Sequence, residues 1–513
     1  MTAQHITIIG LEVHVQLSTA SKLFCGCSTK FGAEPNTQTC PVCIGMPGSL
    51  PVMNREAFRL ALKTATALNC EIPPFTKWDR KQYYYPDLPK GYQISQFDLP
   101  MSANGYLEIS DPKGRFEPKR VRIRRAHLEE DAGKSLHDEV AGRGDSLIDL
   151  NRTGTPLLEI VTEPDLRSSA EAKAFLTDLK LLLLYIGVSD CNMQEGSLRV
   201  DANVNLHMGD IATPIVEIKN MNSFRAVERA LDYEAQRQFT VWQETGKKLG
   251  DVPKQTRGWD DAAGVTRGQR SKEESSDYRY FPDPDLVPVA VQPGELEAVR
   301  ATLGELPAQL RQRLEADFGL SAYDADVLVN QGRPLVEYFM DAAKSQQRAK
   351  VVANLVTQNA LRTISERSDL TLESFGASIG SIQLNMHSKE APDTFIVPFP
   401  ISSGTLGQMV DLIQSGNIPS SRAPDVYANL VETGSNDVNA AVTVVGIKQV
   451  DESELIALCE KLLVANPKTI ADVRGGKTQA ISALIGQAKK LNPNIDPARV
   501  REISLKLIQD MKD

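Results

Sequence analysis

The sequence predicts an α+β protein: a β-rich domain over residues 1–293, then a helical domain over 294–400 and a helical tail over 401–513. Period-two alternation of apolar and polar residues, broken by Gly and Pro, recurs through the first 290 residues. The composition changes near Pro293. From Glu295 to about Ser365, and again from Ser402 onward, the apolar spacing becomes helical. A chain of 513 residues holds two to four ordinary domains, and its 41% hydrophobic content can fill their cores.

Strands are predicted over 6–17, 121–130, 157–161, 197–206 and 214–218, and helices over 55–68, 169–186 and 226–245. Ser168 or Ser169 suits the N-cap of the second helix and Gly187 its C-terminal stop. The polar, Pro-containing stretch 255–288 is predicted as a long loop, and long loops inside compact domains are more often functional than idle.

The net charge of −9 excludes a protein-wide basic field, so any nucleic-acid contact must come from a local patch. Residues 1–17 lack the basic start and apolar run of a signal peptide. The most apolar stretch, 179–188, is too short to span a bilayer. These features predict a cytoplasmic protein with reduced thiols, where paired cysteines suggest metal before disulfide.

Cys25-Gly-Cys27 is followed after twelve residues by Cys40-Pro-Val-Cys43. Two close pairs on separate turns suit a tetrahedral thiolate site, each pair giving one edge. Such a zinc would be structural, because four thiolates close its coordination sphere; a reduced thiol loop without metal is the alternative. Cys70, Cys191 and Cys459 are isolated and predicted to pack.

The first strand places Glu12, His14 and Gln16 on one face and Leu11, Val13, Val15 and Leu17 on the other. The second ends in His127-Leu-Glu-Glu-Asp131, where alternation puts His127, Glu129 and Asp131 together and turns Glu130 away unless a bulge intervenes. Glu159 sits in an apolar run, where an ionised carboxylate is costly unless paired or bound to metal. These acids read either as solvated, salt-bridged edges or as a Mg²⁺ site, since Mg²⁺ takes a few carboxylates and completes its shell with water and phosphate.

Seven stretches taken in order resemble a known family. Gly-Leu-Glu-Val-His (10–14), Tyr-Tyr-Pro-Asp-Leu-Pro-Lys-Gly-Tyr-Gln-Ile-Ser-Gln (84–96), His-Leu-Glu-Glu-Asp-Ala-Gly-Lys (127–134) and Asn-Arg-Thr-Gly-Thr-Pro-Leu-Leu-Glu-Ile-Val (151–161) are four of them. Gly-Ser-Leu-Arg-Val-Asp-Ala-Asn-Val (196–204), Glu-Ile-Lys-Asn-Met-Asn-Ser-Phe (217–224) and Asp-Tyr-Arg-Tyr-Phe-Pro-Asp-Pro-Asp-Leu (277–286) are the others. Together they resemble the B-subunit family of bacterial tRNA-dependent amidotransferases over roughly residues 5–290.

The resemblance implies a cradle related in shape to glutamine synthetase and guanidino kinases, a glutaminase A subunit, a small C subunit, and misacylated tRNA as substrate. It implies that ATP phosphorylates the side-chain carboxylate of Glu-tRNA(Gln) or Asp-tRNA(Asn), and that channelled ammonia then attacks. It implies Mg²⁺ held by Glu12, His14, Glu130 and Glu159 with Glu129 nearby. Lys81, Tyr84, Asp87, Lys90 and Ser95 would line the pocket or ammonia exit. Arg152 would contact the nucleotide, and Arg199 a phosphate or carboxylate, with Arg199 and Asp201 together among the catalytic residues. Tyr83–Tyr85 reads equally as an aromatic core corner.

The tail also resembles this family, and over 463–513 nine Lys and Arg face five Asp and Glu, a local excess suited to tRNA. The chain departs from the family at 351–360, where a Trp-containing helix is usual, and over the long polar stretch 366–400. The rival reading is a stand-alone small-molecule carboxylate kinase of glutamine-synthetase type. A zinc-stabilised RNA binder with a decayed site is a second rival, disfavoured because bare carboxylates repel RNA.

Overall fold

The computed structural model describes residues 5–137, 146–269, 278–366, 399–448 and 450–510. The polar stretch predicted at 366–400 and the link at 391–400 lie almost wholly outside them. The chain forms two compact units, one running to Leu310 and the other from Arg311 onward.

A nine-stranded sheet dominates the first unit. Its path runs from Val265–Gly268 through Gln255–Asp260, Val216–Lys219, Leu198–Met208, Ile6–Gln16, Pro156–Thr162 and Lys119–Glu130 to Ser102–Ile109. The pairings along it are antiparallel except that between Val216–Lys219 and Gln255–Asp260. Leu11, Val13 and Val15 are at most 1% exposed, so the predicted apolar face of the first strand is the core face.

Three helices cover that face: Arg55–Ala67, Ser169–Tyr185 and Phe224–Thr245. Their N-caps are Asn54, Ser168 and Ser223, each accepting from backbone N–H groups of the first turn. Phe58, Phe175, Leu179, Val227 and Leu231 enter the same apolar cluster as the strand residues. Each such side chain removed from water stabilises by roughly 1.5–3 kcal/mol.

The Lys119–Glu130 strand changes face partway along. Ile123 stands opposite Thr162 and Arg125 opposite Val161, a one-residue register shift. Upstream, Val121 and Ile123 are buried while Arg122 and Arg124 are exposed. Downstream, Ala126 and Leu128 take the core side. The odd-numbered residues 125, 127, 129 and 131 therefore turn outward, to the face opposite the helices.

Two expectations differ from this architecture. The stretch 255–288 contains the strands Gln255–Asp260 and Val265–Gly268; they are short and lack clean alternation, which hid them. The helix Pro293–Ala301 packs on Arg55–Ala67 and adds Val299 to the cradle core, so the first unit continues past residue 293.

In the second unit the helix Ser403–Gln414 packs on Arg333–Ala343, across the break expected at 400. A separate apolar cluster, running from Leu455 to Ile508, joins the last helices. Val356–Ala360 forms one π-helical turn. Among the described residues, no helix is long and apolar enough to cross a membrane.

Candidate active site

The outward face of the sheet floors a cavity of about 1340 Å³. Strand register builds its central row. His14 lies opposite Glu159 on one side and Arg199 on the other, and Glu159 lies opposite His127. Residues from four adjacent strands thus meet without any long loop. His14 Nε2 is 3.6 Å from Glu159 Oε2 and 3.9 Å from Glu129 Oε1. His127 Nε2 is 3.5 Å from Glu159 Oε2. The ligand atoms of His14, Glu129 and Glu159 all lie within 4.8 Å of one another. One imidazole and two carboxylates at that separation form a donor set that fits a single divalent ion.

The row is electrostatically tense. Burial and the charge of Glu159 push the Glu129 carboxyl up to about 7. Burial opposes ionisation of Glu159 as well, yet the flanking imidazoles and Lys81 hold it well below the usual carboxylate range. Burial alone would lower His14, but its hydrogen bond to Glu159 and the charges of Glu159 and Glu129 raise it. Burial drives His127 down to about 4, and its Nδ1 is buried without a hydrogen-bond partner among the described residues.

Not every predicted ligand joins this row. Glu12, one step along its strand, lies with Asp201 and Glu217 in a second acidic group. That group is partly offset: Lys219 pairs with Asp201 and Lys254 with Glu217, while the neutral amide of Asn203 donates to Glu12 at 3.1 Å. Glu130 is a correction. Strand alternation turns it to the opposite side, where it is 1% exposed, pairs with Lys90 and accepts from Ile94 N at 2.8 Å. It lines a separate small cavity with Lys22, Cys25, Cys43 and Lys90.

Lys90 is therefore a buried partner of Glu130 and not a wall of the large cavity. Asp87 is absent from that wall too; its carbonyl accepts from Gly133 N at 2.8 Å. Arg152 is also absent from that wall: its guanidinium donates to the carbonyls of Ala132 (2.9 Å) and Gly133 (2.5 Å) and lies 3.6 Å from Asp131. Lys81, Tyr84, Ser95, Arg199 and Asp201 do line the cavity. Ser95 Oγ reaches Glu129 at 3.4 Å, and Tyr84 stands 76% exposed at the rim.

Asp131, on the face that alternation predicts, also lines the cavity. It accepts from Gln16 Nε2 and Arg199 Nη2, both at 2.7 Å, and so fixes the guanidinium at the cavity wall. The signal was present: three outward residues on the first strand, of which the third, Gln16, needs a partner.

The four cysteines converge as their spacing predicts. Their sulfurs lie within 4.8 Å of one another, and the backbone N of Cys40 donates to Cys43 Sγ at 3.1 Å. Cys43 is drawn down to about 4 by the Cys25 thiol donating to it, with Lys22 adding its charge, while Cys25 is pushed up in exchange. Lys22, fully buried, places Nζ 3.7 Å from Cys43 Sγ and 2.7 Å from Gln38 O. Thiolate donors in this arrangement fit zinc.

The family described as the GatB/GatE catalytic domain matches residues 7–297, and the GatB domain matches 337–508. The chain is 55% identical to the B subunit of the aspartyl/glutamyl-tRNA(Asn/Gln) amidotransferase of Rhodopirellula baltica, over 98% of this chain and 97% of that one. The chain belongs to the amidotransferase B-subunit family. Members from Carboxydothermus hydrogenoformans and Thermodesulfovibrio yellowstonii are 44% and 42% identical, over 95% and 99% of this chain and 95% and 100% of theirs. The catalytic-domain match to the B-subunit family takes in the cavity and the cysteine knuckle. The second match includes the segment 351–360.

Proposed function

We propose that this chain carries the transamidation site of a tRNA-dependent amidotransferase, a glutamine-dependent ligase that converts misacylated Glu-tRNA(Gln), Asp-tRNA(Asn) or both to the amide. The convergence of His14, Glu129 and Glu159 on one point of a large polar cavity supports this reading most strongly. A free carboxylate is a poor acyl donor because its leaving group would be oxide. Transfer of the ATP γ-phosphoryl group to the side-chain carboxylate makes an acyl phosphate. Ammonia then forms the C–N bond at the acyl carbon, and phosphate leaves with the excess proton.

The protein's task is positioning and charge neutralisation. His14, Glu129 and Glu159 would hold Mg²⁺, which when bound offsets charge on the phosphate oxygens. Arg199, oriented by Asp131, and Lys81 offer fixed positive charge to phosphate or carboxylate along the same wall. The thiolate knuckle would hold a structural Zn²⁺. Ammonia would come from a glutaminase A subunit, with a small C subunit completing the complex in the cytoplasm. The basic surface of the tail would carry tRNA, and the cradle's likeness to glutamine synthetase belongs to this reading as well.

The test joins the chain to its A and C partners with ATP, glutamine and misacylated tRNA. ADP release that requires misacylated tRNA is expected. Release with free glutamate alone would move the assignment to a small-molecule carboxylate kinase.

A further inference from the structure

The cavity has a wall of aromatic rings that the transamidation steps do not use. Phe97 and Tyr280 lie ring on ring, with centroids 4.0 Å apart and planes 10° from parallel. Tyr278 meets Tyr280 edge-on at 6.1 Å, and Tyr83 meets Tyr278 edge-on at 6.0 Å. All four line the cavity, and Phe97 remains 40% exposed.

These rings arrive from three separate segments, and the one carrying Tyr278 and Tyr280 is anchored. Arg80 reaches Asp283 at 2.7 Å and Asp285 at 2.9 Å, and its guanidinium lies 4.3 Å over Tyr92. Polar groups border the stack. Arg125 Nη1 donates to the Phe97 carbonyl at 3.3 Å, while its Nε is buried without an acceptor among the described residues. Lys81 Nζ sits 4.9 Å over Tyr278. A partly exposed ring beside cationic donors matches a flat, electron-rich heterocycle with acceptor nitrogens.

We propose that the Phe97–Tyr280 pair is a stacking platform for an adenine ring. The inference rests on the transamidase reading, which supplies two adenines, that of ATP and that of the tRNA's 3′-terminal adenosine. Position favours the tRNA. Phe97 lies two residues past Ser95, which touches Glu129, so the stack stands roughly 7 Å along the chain from that contact. The acyl group hangs from the terminal ribose and can span such a gap; the adenine of ATP is separated from its reacting phosphorus by a ribose and two further phosphates.

The experiment uses the assembled complex and compares Phe97→Leu, which keeps apolar bulk, with Phe97→Tyr, which keeps the ring. KM for misacylated tRNA and KM for ATP are measured separately, with kcat and melting temperature alongside. Phe97→Leu should raise one KM by about tenfold or more at little cost in kcat, and Phe97→Tyr should restore it. A rise in the tRNA KM assigns the platform to the terminal adenosine; a rise in the ATP KM assigns it to the nucleotide. If both KM values stay at wild type in a folded Leu variant, or if the Tyr variant is as impaired as Leu, the platform is refuted. Should Phe97→Leu fail to assemble, Tyr280→Leu tests the other ring of the stack. Loss of tRNA-dependent ADP release from the wild-type complex would instead sink the transamidase reading itself.

Discussion

Glu129, Glu130 and Asp131 are consecutive in the chain yet serve different partners. Glu129 faces His14, Glu130 holds Lys90, and Asp131 orients Arg199. Mutation should separate them. Glu159→Gln, which alters a donor of the central triad, should lower kcat by at least about a hundredfold in the tRNA-dependent ADP assay. Glu130→Ala should instead act through stability, by about 3–5 kcal/mol in denaturant unfolding, because it strands a buried lysine. Its Mg²⁺ affinity, read by titration, should stay near wild type. Proton linkage gives a further check. Glu129 titrates at about 7 and must be ionised to bind a cation. His14, which is raised, must likewise lose its proton to ligate, so lowering the pH below 7 should weaken Mg²⁺ binding by about tenfold per unit or more. At this scale the sequence was readable where alternation places a side chain, as for His14 and Glu129, and where a carboxylate interrupts an apolar run, as for Glu159. It misled where family motif outweighed alternation, as for Glu130.

Among elements, the cysteine knuckle was the most legible, since thiolate spacing is itself the geometry. Cys25 and Cys27 both favour the thiol, with Cys27 pushed up to about 11 chiefly by burial, whereas Cys43 is already a thiolate. Reloading chelator-stripped protein with Zn²⁺ at pH 7 should therefore release about two protons from this pair, seen as a buffer-dependent enthalpy in calorimetry. An absence of proton release would mean that the thiols do not ligate. The long strands and capped helices were also visible, because eight or more residues give periodicity room to show. Gln255–Asp260 was not: six residues with a central Gly and a polar Asp look like loop, and only the parallel ladder to Val216–Lys219 makes them a strand.

For the whole molecule, the sequence separates a sheet-built part from a helical remainder, with the change placed at 293 where the catalytic-domain match ends at 297. Helices at joints look alike from either side, and packing alone assigns Pro293–Ala301 to the cradle. The last helices have their own apolar cluster, with Lys489 and Lys490 exposed in the last turn of Ile481–Leu491. Removing residues from 451 onward should raise the tRNA KM by roughly tenfold, steepen with salt in the intact chain only, and leave the ATP KM unchanged in steady-state assays. The register shift between Ile123 and Arg125 has a wider bearing. It works as a frame-setter: lose one residue there, and every side chain up to position 131 trades sides. Glu130 would then occupy the ion pocket, while an imidazole and two acids would be forced among the core's aliphatic side chains. Length in this short segment is thus under tighter constraint than identity, and drift by substitution at Arg124 costs far less than a single deletion.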